Sequence, residues 1–203
     1  MTTAVATRQR LRQRGRLLAG ATIAWNAVEG VVAIAAGISA GSLALVGFGL
    51  DSFVEVFAGA VVLWHLGATS NDREDPARRL IAVSFFALAA YVVAEAARDL
   101  FVGHEAVEST AGIALAAVSL AVMPALAWAK RRTGQALGDT VIVADSTETA
   151  LCSYLSAILL AGLALNATLG WWWADPLAAL AIAALALHEG RATWRGDPCC
   201  DTC

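Results

Sequence analysis

Residues 42–64 read SLALVGFGLDSFVEVFAGAVVLW. The run is apolar except for Ser42, Ser52 and two carboxylates, Asp51 and Glu55. About 20 apolar residues in a helix are needed to cross a hydrocarbon core of about 30 Å, and this block is long enough. Its apolar residues are continuous rather than alternating. An open sheet cannot sit in lipid with unpaired backbone groups, so the block reads as a transmembrane helix.

Five further blocks of the same kind surround it. The expected spans are Leu17–Gly37, Ser42–Trp64, Leu80–Ala97, Thr110–Ala129, Val141–Leu165 and Trp172–His188. The 203-residue chain is 59% hydrophobic and 15% charged, against about 45–50% and about 25% in soluble domains. The first block is too long and too polar at its centre for a cleavable signal peptide. The expected fold class is an all-α integral membrane protein, a bundle of six transmembrane helices. It would divide into a basic arm (1–16), a helical domain (17–190) and a Cys-rich tail (191–203), with no soluble domain. A net charge of -3 gives no footprint for nucleic acid.

Basic residues set the expected orientation. Arg8, Arg10, Arg12, Arg14, Arg16, Arg73, Arg78, Arg79, Lys130, Arg131, Arg132, Arg191 and Arg195 fall on one side of the six-span scheme, and Arg98 alone on the other. The positive-inside rule then places both termini in the cytoplasm of a cell inner membrane. Trp171, Trp172 and Trp173 sit at an expected boundary, as an aromatic belt would. Asp175 and Pro176 read as N-cap and first residue of the last helix. Gly37 and Gly41 form a small-xxx-small pair suited to close helix contact.

Ionisable groups at membrane depth cost roughly 2.5–3.5 kcal/mol each on insertion scales and mark function. Asp51 and Glu55 are four apart and stack on one helix face. Glu148 and Cys152 are also four apart, with Asp145 one turn earlier on the same face. If the two faces meet, carboxylates and a thiol converge. Carboxylates suit harder divalent ions, and thiolate draws softer ones such as zinc, cadmium, copper(I) or mercury. Such ligands bind deprotonated, so loading metal releases protons.

Structural readings stand beside these. Asp51 also fits an N-cap in a broken helix, and Cys152 a small core hydrophobe. Asn26 and Glu29 fit interhelical hydrogen bonding equally well. Glu95 reads as an interfacial partner of Arg98, and His65, His104 and His188 as interfacial residues. In the tail, Cys199, Cys200 and Cys203 combine adjacent thiols with a C-x-x-C spacing, suited to capturing one soft cation. Lipidation of juxtamembrane cysteines is the competing reading.

Ser42-Leu-Ala-Leu-Val-Gly-Phe-Gly-Leu-Asp51-Ser-Phe-Val-Glu55 resembles the second transmembrane helix of the cation diffusion facilitators. Ala144-Asp145-Ser-Thr-Glu148-Thr-Ala-Leu-Cys152 resembles their fifth, and Ala174-Asp175-Pro176 the start of their sixth. The resemblance implies a metal site of Asp51, Glu55, Glu148 and Cys152, with Asp145 as a weaker candidate. Two departures stand out: no His is present at these positions, and Cys152 replaces a carboxylate. The family's cytoplasmic C-terminal domain has no counterpart, and a short tail with Cys199, Cys200 and Cys203 takes its place.

That combination is similar to the MerH-type mercuric ion transporters. The resemblance implies inward movement of Hg(II) by ligand exchange, with the tail thiols accepting the ion and passing it to a cytoplasmic thiol acceptor such as a mercuric reductase. Facilitator relatives imply instead proton-coupled export of zinc or cadmium, and homodimers. No cofactor and no enzymatic activity are expected. The remote alternative is an intramembrane aspartyl protease using Asp51 and Asp145, two acids sharing a proton.

Overall fold

The computed structural model describes residues 2–67, 74–102, 107, 109–171 and 173–195. Six helices follow one another: α1 (Thr2–Ala40), α2 (Leu43–Leu66), α3 (Glu74–Val102), α4 (Thr110–Leu137), α5 (Thr140–Leu169) and α6 (Ala174–Arg195). All six expected spans lie within these helices, apart from boundary residues. Four of them, α1, α2, α4 and α5, are long and apolar enough to cross a membrane on length and composition alone. The other two, α3 and α6, pack mainly on each other, α3 also on α2 and α6 also on α5 and α2. The result is an all-helical, multi-pass membrane protein.

The helices run further than hydropathy indicates. Most of the basic stretch expected as an arm is helical, because α1 runs unbroken from Thr2 to Ala40. Lys130, Arg131 and Arg132 were expected in a connection, yet they lie inside α4. That helix stops only at Gly138, whose φ of 65° is left-handed, a conformation costly for residues with a Cβ. Asp139 then caps α5, its carboxylate accepting from the Ile142 N–H at 3.2 Å.

Chain ends and turns fix which helix ends lie together. At one end, Arg16 donates to the Leu66 carbonyl at 2.8 Å. There His65 also meets the Asp139 carboxylate at 3.4 Å, and Arg79 lies 5.8 Å over the Trp194 ring. The clustered arginines therefore belong to this end. At the opposite end, Ser42 donates to the Asp175 carboxylate, whose second oxygen accepts from the Ala44 N–H at 3.2 Å. Helix α6 begins at Ala174, two residues before the expected first residue Pro176, so Asp175 lies in its first turn rather than at an N-cap and reaches across to the start of α2. Glu95 and Arg98 form the expected pair at 2.7 Å, and Trp171 stacks on Trp173 at 4.9 Å.

Helices α1 and α2 pack without a spacer between backbones. A Cβ on Gly49 would stand 2.7 Å from Ile34 and 3.0 Å from the Gly30 carbonyl. Gly37 also abuts α2, at Val46, while Gly41 forms the left-handed link between the helices. The close helix contact expected of the Gly37/Gly41 pair is thus internal to this hairpin, and Gly30 against Gly49 makes a second close crossing. Helix α2 takes the centre, touching α1, α3, α5 and α6. Its polar residues are held in protein rather than in lipid.

Candidate metal site

Three of the four intramembrane donors expected from spacing line one space. Asp51 and Glu55 enter it from α2 and Glu148 from α5, closed off by Val54, Phe85, Leu151, Leu155, Leu185 and Ala186. Glu189 of α6 contributes a further carboxylate. The void is about 10 Å³, room for about one water. Asp51, Glu55 and Glu148 are all buried. The one-turn spacing explains the arrangement, since residues four apart project from the same side of a helix.

Cys152 lies one turn beyond Glu148, fully buried and in the hydrophobic core. It neighbours Glu55 and Ser119, and Glu29 and Asp51 are close enough to act on it electrostatically. It does not line the small cavity. Among the described residues, no group of three or more His, Cys, Asp or Glu side chains is drawn close enough to hold a metal ion. The donors are assembled as neighbours, with a divalent ion's contact distances still to be closed. Glu55 Oε2 and Glu148 Oε2 are buried without a hydrogen-bond partner. Native interiors seldom leave such acceptors unfilled.

Asp145 does something else. Its carboxylate pairs with the Lys130 ammonium of α4 at 2.8 Å, with both side chains 2% exposed or less. Lys130 also donates to the Thr149 hydroxyl at 2.8 Å, and Thr149 donates to Glu55 Oε1 at 2.5 Å. A continuous polar chain therefore runs from α4 through α5 to α2. Sequence reasoning places Lys130 in the connection between the fourth and fifth spans, with Arg131 and Arg132. The signal was in the helical period. Gly112, Ala116, Ser119, Met123, Ala127, Lys130 and Gly134 are all buried at spacings of three or four, one helix face that Lys130 shares. The Lys130 pair also removes the basis for an aspartyl dyad, because Asp145 meets a cation rather than Asp51.

On the other side of α2, Glu29 of α1 accepts from the Ser52 hydroxyl at 3.2 Å. Asn26, one turn back, donates to the Thr22 carbonyl at 3.1 Å. Both are buried, and the interhelical bonding expected of them holds for Glu29. Cys199, Cys200 and Cys203 lie outside the described residues, as does His104.

The sequence matches the family described as the cation efflux transmembrane domain over residues 21–195. It is also 31% identical, over 154 residues, to an uncharacterized transporter of Synechocystis sp.. That alignment covers 69% of this chain and 49% of the relative, so the chain spans about half of the relative's length.

Proposed function

Because this chain belongs to the cation efflux transmembrane-domain family, and is thus a transporter rather than an enzyme, we propose that it carries a divalent transition-metal ion across the membrane. Zinc or cadmium exported in exchange for protons is the reading that fits best. One observation carries it: Asp51 and Glu55 from α2 and Glu148 from α5 share one buried cavity. Buried carboxylates at membrane depth are costly unless something positive visits them. Oxygen donors from two helices suit a divalent ion, and a shift of one helix against the other would close or open the set. Binding requires the carboxylates deprotonated, so protons leave as metal enters and return as it departs. The clustered arginines are taken as the cytoplasmic end, which puts both termini there.

A second reading, Hg(II) uptake, is favoured by Cys152 beside Glu55, since mercury passes between thiolates. Neither the matching family nor the Synechocystis relative names mercury, and the tail thiols are an untested partner for Cys152. Mercury therefore stands behind zinc and cadmium.

The deciding experiment is metal flux into proteoliposomes with Zn(II), Cd(II) and Hg(II), each with wild type, Asp51→Asn and Cys152→Ser. Zinc or cadmium flux that vanishes in Asp51→Asn and survives in Cys152→Ser supports export of a borderline ion. Flux of Hg(II) alone, lost in Cys152→Ser, replaces that reading with the second. No flux of any metal removes both.

A further inference from the structure

Lys130 is the one buried Lys or Arg among the described residues. A buried ammonium is expensive unless it is paired and hydrogen-bonded. Here it is anchored twice on α5, to Asp145 at 2.8 Å and to Thr149 at 2.8 Å. Thr149 has a single hydroxyl proton. It accepts from Lys130, and of its two acceptors Glu55 Oε1 at 2.5 Å is closer than the Asp145 carbonyl at 3.1 Å. The positive charge thus bears on a carboxylate that lines the cavity. The acceptors Asp145 Oδ1, Glu55 Oε2 and Glu148 Oε2 around it have no hydrogen-bond partner. The site is rich in acid and contains one fixed cation.

We propose that Lys130 is a tethered counter-cation of the metal site, which balances its carboxylates when no metal is present and competes with the arriving ion. The inference rests on the metal-transport reading of the site. Coulomb repulsion between a fixed ammonium and a divalent ion is strong in a low-dielectric interior. Lys130 therefore holds affinity down to a level that permits release. It is a positioning residue: it acts through Asp145 and Thr149 and need not touch the metal.

The test is equilibrium titration of Zn(II) into the full chain in lipid nanodiscs, with flux measured in parallel. Lys130→Gln should bind Zn(II) about tenfold tighter than wild type and transport it more slowly, whereas Lys130→Arg, which keeps the charge, should bind within about threefold of wild type. Lys130→Met, also neutral and of similar length, should tighten binding about tenfold likewise, and it decides the matter if Lys130→Gln does not fold. Unchanged or weaker binding in the folded neutral variant overturns the proposal. So does Lys130→Arg behaving like Lys130→Gln. A failure confined to this inference leaves wild-type flux intact and sensitive to Asp51→Asn. Absence of metal binding in every variant overturns both readings.

Discussion

Two buried carboxylates, Asp175 and Glu55, sit on or against the same helix and do opposite things. Asp175 accepts from the Ser42 hydroxyl and the Ala44 N–H with one oxygen each. It ties the start of α6 to the start of α2, where free backbone N–H groups and the positive end of the helix favour an anion. Glu55 stands mid-helix with one oxygen on Thr149 and the other without a hydrogen-bond partner. A carboxylate whose oxygens both have donors holds helices together. One with an unfilled oxygen beside a cavity is available to a visiting cation. Burial alone does not separate the two cases.

The comparison breaks most readily through the cavity acids. Asp51→Asn and Glu148→Gln should each lower zinc affinity and flux by at least about tenfold. Thermal unfolding in detergent should remain within a few degrees of wild type. If either variant unfolds instead, these acids are structural like Asp175. The reverse experiment is Asp175→Asn, expected to cost about 1–3 kcal/mol of stability with zinc affinity unchanged, read by thermal melting beside metal titration. Ser42→Ala removes the donor from the same tie while leaving Asp175 bonded to Ala44, and should cost about 1 kcal/mol. The smallest effect is expected of Cys152→Ser. Zinc affinity should stay within about threefold, while the preference for cadmium over zinc falls, since a hydroxyl is a harder donor than a thiol. Competition titration with the two metals reads that ratio. A large loss of zinc binding would move Cys152 from the edge of the site to its centre.

The number and order of the helices were legible because each apolar block is long enough to declare itself. Their ends were not. The run Lys130-Arg131-Arg132 looks like a loop to any hydropathy reading, yet the backbone stays helical to Gly138. Roughly half a helical turn then separates their fates: Lys130 is buried and Arg132 is exposed. Glu55 and Glu148 were legible as a facing pair from their positions on two helices. The intervening Thr149 was not, because a threonine inside an apolar helix gives no sign of which neighbour its hydroxyl will serve. Asp145 was placed on the correct face, and its partner was hidden in another helix.

Helix α1 runs for 39 residues. At 1.5 Å per residue that is roughly 58 Å, nearly twice the hydrocarbon thickness of about 30 Å. Its arginines, Arg8 to Arg16, occupy alternate positions and so project from two opposite sides of the helix. They cannot share one face and cannot all be shielded by protein. That half of the helix must stand clear of the acyl chains, as a mast carrying charge on opposite sides. The last arginine, Arg16, grips the end of α2 through the Leu66 carbonyl. The foot of the mast is thus tied to the bundle where α2 ends, which marks that level as the polar boundary of the helices.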